Sequence, residues 1–284
     1  MKRNLIQKQN PYKHWEFSDL ETGNRLRVVP ERGGIITEWL CNGVEILYFD
    51  LERYLDKGKS IRGGIPILFP ICGSLPGNSL YINDNCYSMN QHGFARDSIW
   101  DIQPIKNQKG FSLQLSQTDQ SLNLYPCFFS INITVQMNIN SLEFAIEVYN
   151  SSHIEMPFSF GLHPYFNVRD LTRVELHGLP AKGISQKNSN EIESFQIVRE
   201  LSKGIDCLFE PSGGVSLIDL TNGRGIKLSN EYPMNLNVIW TDPPRKMVCL
   251  EPWTSPKESL INGERKLVLP PQNKMELGCK ITSF

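Results

Sequence analysis

The sequence lacks the cysteine pairs that hold a disulfide framework or a zinc ion. Its seven cysteines are scattered along 284 residues, and no two of them form a Cys-x-x-Cys pair. An odd number of cysteines at this spacing argues against both a disulfide framework and a zinc site. Most of them are therefore expected to be small buried apolar residues, as in a protein of the reducing cytoplasm.

Long apolar runs and an excess of charge of one sign are also missing. No stretch approaches the roughly 20 apolar residues of a membrane helix, and the start of the chain has no apolar segment typical of a signal peptide. The net charge of −1 provides no general field for nucleic acid or for an anionic membrane surface. We expect neither partner, so any affinity for an anion must come from a local cluster. The oligomeric state stays open.

Motifs for nucleotides and catalytic metals are absent as well. The sequence has no P-loop, no GxGxxG at a strand–helix junction and no HExxH. We therefore expect a protein that works without a cofactor and without a metal.

Amphipathic helices of normal length are not found, and alternating patterns take their place. From Phe129 to Ile139 and again from Leu142 to Val148, apolar and polar residues alternate, with Asn140-Ser141 between them. A period of two over this length predicts two strands with one buried face. Shorter strand-like runs fill the remaining chain without a linker. This pattern predicts an all-β fold, a large antiparallel β-sandwich that forms one domain over residues 1–284.

One long excursion of chain, from Arg62 to Arg96, contains two clusters of functional residue types. The first is Arg62-Gly-Gly-Ile-Pro and the second is Gln91-His92-Gly-Phe-Ala-Arg96. The glycines allow close approach of backbone to a ligand, the arginines bring a planar fork of donors, and histidine titrates near neutral pH. Together they suit an anionic or polyhydroxylated ligand. Taken singly, each arginine could be a surface cation and His92 a packed turn residue.

Three further segments carry candidate groups. In Gly161-Leu-His163-Pro-Tyr-Phe the histidine fits a strand end that projects into an aromatic cleft, or a buried histidine bonded to a carbonyl. In Cys249-Leu-Glu251-Pro-Trp253 a carboxylate follows an apolar strand, where carboxylates are rarely left without a role or a partner. Trp253 could stack on a sugar or belong to the core. Asp206, in a short apolar stretch, could bind a ligand or cap a turn.

These motifs, in this order over nearly the whole chain, resemble the aldose 1-epimerase (galactose mutarotase) superfamily. They are closest to its glucose-6-phosphate 1-epimerase, or hexose-6-phosphate mutarotase, branch. The resemblance implies a β-supersandwich with a sugar in an open cleft on one sheet. It also implies that His163 is the catalytic acid and Glu251 the catalytic base.

The resemblance further implies which residues bind the substrate. His92 corresponds to a second active-site histidine, Asp206 to a hydroxyl-binding aspartate, and Arg62 and Arg96 to arginines associated with phosphate. Plain galactose mutarotases usually have His-Gly-Gly preceded by an asparagine. Here Gln91 precedes His92 and Gly-Phe-Ala-Arg follows it, which favours the phosphosugar branch and makes Gln91 a further substrate-binding candidate.

The chemistry agrees with this assignment. Interconversion of α and β anomers needs one base at the C1 hydroxyl and one acid at the ring oxygen. We therefore predict an isomerase that interconverts the anomers of a hexose 6-phosphate, with glucose 6-phosphate favoured. The alternatives are the same reaction on an unphosphorylated hexose, or a carbohydrate-binding module without catalysis. A glycosidase that uses Glu251 and Asp206 would leave both histidines without a role.

Overall fold

The computed structural model describes residues 3–56, 58–105, 109–211 and 213–284 of the chain. Within these ranges the secondary structure is mostly strand, and the helices are short. The strands are β1 (Arg3–Lys8), β2 (His14–Asp19), β3 (Arg25–Val29), β4 (Ile35–Cys41), β5 (Val44–Glu45), β6 (Ile67–Leu68), β7 (Ser79–Ile82), β8 (Asn85–Ser88), β9 (Asp101–Pro104), β10 (Gly110–Ser116), β11 (Phe129–Met137), β12 (Ser141–Asn150), β13 (Met156–Phe158), β14 (Gly161–Leu162), β15 (Tyr165–Asn167), β16 (Val174–His177), β17 (Lys182–Ser185), β18 (Glu191–Glu193), β19 (Asp206–Phe209), β20 (Val215–Asp219), β21 (Arg224–Asn230), β22 (Leu236–Trp240), β23 (Met247–Trp253), β24 (Leu267–Leu269) and β25 (Lys274–Ser283). The α-helices are α1 (Leu51–Leu55), α2 (Asp119–Leu122), α3 (Ser194–Glu200) and α4 (Ser259–Asn262), and short 3-10 helices cover Pro30–Arg32, Pro76–Asn78, Ala95–Asp97, Leu171–Arg173 and Leu201–Lys203.

Two eight-stranded antiparallel sheets form the main layers. The first has the order β16-β20-β21-β25-β12-β11-β10-β9. The second has the order β18-β17-β19-β22-β23-β14-β6, with β15 also paired to β23, and we call it the site sheet. A five-stranded sheet, β1 to β5, completes the main architecture. The predicted all-β antiparallel sandwich is confirmed.

Alternation along β11 and β12 builds the centre of the core, as the sequence predicts. Ile131, Ile133 and Val135 are buried on one face, while the residues between them are polar. The alternation does not extend to Ile139, which is 67% exposed. The reason is the register: Met137 pairs with Leu142, so the strand ends there and residues 138–140 form the turn.

The site sheet is apolar on one face and carries functional groups on the other. Because neighbouring residues of a strand point to opposite faces, Val248 and Leu250 of β23 join the main core, whereas Glu251 and Trp253 face away from it. In β19, Cys207 likewise packs into the core beside the outward Asp206. This alternation lets strands buried in the interior present polar side chains in one direction.

Two Asn-Gly pairs of the sequence occur in different kinds of turn. Asn42 and Gly43 have positive φ values and join β4 to β5, as expected for an Asn-Gly hairpin. Asn262-Gly263 is different: it ends α4, where Gly263 adopts the left-handed conformation of a helix C-terminus. The longest α-helix in the described ranges has 7 residues, and none there is long and apolar enough to cross a membrane.

The main apolar core runs from Phe17 to Ile281 and takes side chains from both large sheets. Six of the cysteines are buried and Cys86 is exposed, so the expectation for most of them is confirmed. That residues 1–284 form one domain stays a prediction, and the continuity of this core supports it.

Two isoleucines provide a matched test of the register. Ile133→Ala should lower the free energy of unfolding by about 2–5 kcal/mol, because it removes a fully buried side chain. Ile139→Ala should change it by no more than about 0.5 kcal/mol, because that side chain lies in solvent. Urea denaturation of both variants measures the difference. Equal losses in the two variants would contradict the register.

Candidate active site

A polar cleft of about 280 Å³ opens on the outward face of the site sheet. Strands β19, β22 and β23 contribute its floor, and the loops around β6 and β14 contribute one wall. All seven residues that the sequence singled out line this cleft: Arg62, Gln91, His92, Arg96, His163, Asp206 and Glu251. The chain therefore brings together residues that are up to 189 positions apart in sequence (from 62 to 251).

Glu251 is at the floor of the cleft, only 1% exposed. It lies in β23 opposite Val238 of β22, and β14 and β15 pair with the other edge of the same strand. Its Oε2 accepts a hydrogen bond from Trp253 Nε1 at 3.1 Å. Trp253 therefore orients the carboxylate from two residues further along the same face of the strand.

His163 follows β14 directly and reaches over Glu251. Its backbone N–H donates to the carbonyl of Pro66 at 3.0 Å. The imidazole ring is stacked on Tyr165, with ring centroids 4.7 Å apart and planes at 9°, and Trp240 meets it edge-on. Packing on these two rings fixes the orientation of the imidazole, whose Nδ1 is buried without a hydrogen-bond partner in the described part of the chain.

The two side chains form a close pair, with His163 Nε2 3.4 Å from Glu251 Oε1. Burial lowers the pKa of His163 well below its usual value, with the charge of Arg96 acting in the same direction. Burial also raises the pKa of Glu251 well above its usual value, and the Asp206 carboxylate adds to the effect. Both shifts favour the neutral forms, so the pair is best described as an imidazole and a carboxyl group that hold one proton between them.

His92 is the second imidazole of the cleft, with its ring centroid 5.6 Å from that of His163. Its Nδ1 accepts a hydrogen bond from the Gly73 N–H at 3.1 Å, so the ring proton is on Nε2. Burial, with the charges of Arg96 and Arg62, lowers its pKa to about 3. His92 is thus a neutral N–H donor.

The backbone beside His92 explains the glycine that follows it. Gly93 has a φ of +72°, and a Cβ there would lie 2.1 Å from the carbonyl oxygen of Phe69. No side chain fits in that space, so glycine allows this loop to pack against the segment after β6. The close approach holds His92 against Gly73 at the rim of the cleft.

Arg62 and Arg96 both present guanidinium groups to the cleft, and both are half-buried. Arg62 lies over the Trp240 ring, 5.5 Å from its centroid, and its Nε is 3.4 Å from Asp242 Oδ2. Arg96 Nε is 3.7 Å from Asp97 Oδ2. These contacts are long for charge-assisted hydrogen bonds, and a guanidinium has five N–H donors, so donors are left over for a ligand.

Asp206 belongs to a network with two residues that the sequence did not indicate. Gln186 Nε2 donates to Asp206 Oδ1 at 2.7 Å, and Lys257 Nζ donates to the Gln186 carbonyl at 2.7 Å. Burial raises the pKa of Asp206, while the Gln186 hydrogen bond and the charge of Lys257 act against that rise. The network leaves Asp206 Oδ2 as an acceptor on the cleft side.

The signals for these two residues in the sequence are weak. Gln186 lies in a polar segment without strand-like alternation, and only pairing with Asp206 brings it to the site. Lys257 comes four residues after the Cys249–Trp253 segment, so its proximity along the chain could have suggested it. Gln91, by contrast, is exposed at the rim, where nothing but the neighbouring His92 motif indicated it.

A larger cavity, of about 580 Å³, lies elsewhere, between Glu45 and Arg224. It contains Asp219, whose carboxylate is fully used by Thr221, Asn222 and the Arg169 backbone. None of the described residues that line it is a histidine. Size alone therefore does not identify the functional site, and the smaller cleft has the acid–base pair.

The fold and the cleft define a class of protein. The antiparallel β-sandwich is the fold of galactose mutarotase-like proteins of known structure, and the cleft of this chain contains a buried imidazole–carboxyl pair. The family model for aldose 1-epimerase matches residues 19–282. The chain therefore belongs to the aldose 1-epimerase family and is an isomerase, and the family implies a sugar as its substrate.

Individual relatives agree with this membership. The solved structure of the Slr1438 protein of Synechocystis sp. PCC 6803 is 32% identical, has a TM-score of 0.91, and is matched over 100% of this chain and 99% of its own. A galactose mutarotase-like protein of Clostridium acetobutylicum is 19% identical with a TM-score of 0.83, over 100% and 98% of the two chains, which shows the fold alone.

One curated relative has a name that specifies a substrate. A protein of Cenchrus ciliaris, provisionally named glucose-6-phosphate 1-epimerase, is 32% identical over 159 residues. The match covers 52% of this chain and 45% of that relative, so it spans less than half of the relative's length.

Proposed function

We propose that the protein interconverts the α and β anomers of a hexose 6-phosphate, with glucose 6-phosphate as the favoured substrate. The observation that carries the proposal is the buried His163–Glu251 pair in a cleft that also presents Arg62 and Arg96. The pair suits the proton transfers of anomer exchange, and the two guanidinium groups suit a phosphate. The name of the Cenchrus ciliaris relative agrees with a phosphorylated substrate.

The reaction needs two proton transfers in each direction. Glu251 takes the proton of the C1 hydroxyl while His163 gives a proton to the ring oxygen O5. The C1–O5 bond breaks and the C1–O1 bond becomes a carbonyl. Rotation about C1–C2 presents the other face of the aldehyde, and closure returns O5's proton to His163 and Glu251's proton to O1. Neither transfer requires a cofactor.

A pair that holds one proton is suited to both halves of this cycle. Ring opening starts with the proton on His163 and ends with a proton on Glu251, so the total on the pair stays at one. The buried surroundings favour the second arrangement, in which both groups are neutral. They therefore stabilise the state that accompanies the open-chain aldehyde, and the resting pair reaches the reactive arrangement when its proton passes from Glu251 to His163, which are 3.4 Å apart.

Other residues of the cleft hold the sugar in the proposed complex. His92, as a neutral Nε2–H donor, hydrogen-bonds O1 or O5 and stabilises the charge that develops there. Asp206 accepts from a sugar hydroxyl through the oxygen that Gln186 leaves available. Gln91 at the rim adds a further amide contact. Trp240 and Tyr165 provide apolar surface on either side of the imidazole.

One observation favours a second candidate, in which the substrate is an unphosphorylated hexose. Each arginine already has a carboxylate neighbour, Asp242 for Arg62 and Asp97 for Arg96. In this case the arginines brace loops or contact hydroxyls, and the proton transfers at C1 and O5 are the same. A glycosidase that uses Glu251 and Asp206 gains no support, because Glu251 faces His163 and Gln186 engages Asp206.

Replacement of either member of the pair should abolish most of the catalysis. We expect Glu251→Gln and His163→Asn each to slow anomer exchange of glucose 6-phosphate by at least about a hundredfold, because each removes a positioned proton transfer. NMR exchange spectroscopy at anomeric equilibrium measures the rate. In Glu251→Gln the new amide oxygen can still accept from Trp253 Nε1, so this variant should fold normally. Full activity in either variant would rule out the proposed pair.

Removal of a guanidinium should distinguish the two substrates. If Arg96 binds phosphate, Arg96→Ala should raise the KM for glucose 6-phosphate by about tenfold or more and leave that for glucose nearly unchanged, since a charged hydrogen bond contributes about 1.5–3 kcal/mol. The matched Arg96→Lys variant keeps the charge but loses the planar fork, so its effect should be smaller. Equal effects on both sugars would favour the unphosphorylated substrate instead.

A further inference from the structure

Beside the proposed catalytic pair lies a metal-binding group that the reaction does not use, the thiol of Cys249. Cys249 precedes Glu251 by two residues on β23, so both side chains are on the same face of the site sheet. The Cys249 Sγ, a ring nitrogen of His163 and a carboxylate oxygen of Glu251 all lie within 4.8 Å of one another. All three residues are buried.

The spacing of these atoms fits a tetrahedral metal ion. Zinc binds histidine nitrogen at about 2.0–2.1 Å and carboxylate oxygen at about 2.0–2.2 Å, which places two such ligands roughly 3.4 Å apart in a tetrahedron. His163 Nε2 and Glu251 Oε1 are 3.4 Å apart. A zinc–thiolate bond is longer, about 2.3 Å, and sets the sulfur roughly 3.5 Å from the other two ligands. The Cys249 Sγ lies within 4.8 Å of both, so it has to approach them by no more than about 1.3 Å.

The remaining contacts of these groups leave them available. Cys249 Sγ has the Met247 sulfur at 3.9 Å as its hydrogen-bond acceptor, which is a weak one. His163 Nε2 faces Glu251 Oε1 and is the nitrogen that would bind the metal, while the other ring nitrogen, Nδ1, has no partner among the described residues. A thiolate and a carboxylate together balance the charge of a divalent cation, and the thiol proton and the proton that the His163–Glu251 pair holds both pass to solvent when the metal binds. Binding therefore breaks no strong hydrogen bond of the thiol.

We propose that His163, Cys249 and Glu251 form an inhibitory site for a thiophilic divalent cation such as Zn²⁺. A water molecule completes the coordination. The ligand set of one nitrogen, one sulfur and one oxygen selects Zn²⁺ over Mg²⁺, which prefers oxygen ligands in an octahedron. The inhibition rests on the proposed function, because the metal occupies both members of the pair; the metal binding itself does not.

Metal affinity in the absence of substrate tests the site. Competition with a chromogenic chelator should show about one Zn²⁺ per wild-type chain and no competition by Mg²⁺. Cys249→Ala should weaken Zn²⁺ binding by at least about tenfold, which is the lower end of what loss of even an outer-shell partner of a metal site costs. Cys249→Ser, which nearly keeps the volume of the side chain, gives the same comparison where the alanine variant folds poorly. The matched control is Cys86→Ala, because Cys86 is an exposed thiol that does not line the cleft.

The outcomes separate the site from the function. Co²⁺ bound to wild type should show a thiolate charge-transfer absorption that both Cys249 variants lose and Cys86→Ala keeps. Equal Zn²⁺ affinity in wild type and the Cys249 variants, or a loss confined to Cys86→Ala, overturns the site. Zn²⁺ should also inhibit anomer exchange in competition with the sugar, and Cys249→Ser should be less sensitive. Binding through Cys249 without inhibition would support the metal site and overturn the catalytic role of the pair.

Discussion

The close approach of one imidazole to one buried carboxyl group is the constraint on which the rest of the site depends. A carboxylate buried alone would cost several kcal/mol, and Glu251 avoids this through Trp253, His163 and a raised pKa. The same burial lowers the pKa of His163. Because burial disfavours the charged forms of both His163 and Glu251, the two groups together hold one proton. In the proposed reaction this one-proton state is part of the catalytic cycle, because anomer exchange passes a proton through the pair in both directions.

The fold produces this arrangement by using opposite faces of the same strands. In β23 the alternate residues Val248 and Leu250 anchor the sheet in the core, and this anchoring fixes where Glu251 points. His163 comes from a loop, yet the Pro66 carbonyl and the face of Tyr165 hold it in place. Rigid strands thus provide one partner and a tightly packed loop provides the other. The same rigidity keeps Cys249 within reach of both, which is the basis of the metal site that we propose.

Much of the fold could be predicted from sequence, since alternation along Phe129–Val148 depends only on which side chains are buried. The prediction failed where register decided the outcome, as at Ile139, because pairing with the next strand is not visible in one segment. Arg62, His92, His163 and Glu251 were easiest to find, because each lies next to a glycine or a proline in a motif, whereas Asp206 has neither beside it. Gln186 has no such neighbour, and only the pairing of its backbone with Asp206 brings it to the cleft. The pKa directions also needed the structure, because burial is their largest cause.

The protonation state of the pair is the most direct test of this account. Nitrogen-15 and carbon-13 NMR of the labelled enzyme, with His163→Asn and Glu251→Gln used for assignment, reports the proton count of both groups. The account predicts a neutral His163 and a protonated Glu251 carboxyl in the resting enzyme, because burial lowers the pKa of the imidazole and raises that of the carboxyl group. Titration of His163 near its ordinary pKa of about 6.5, or an ionised Glu251 beside a neutral imidazole, would contradict it.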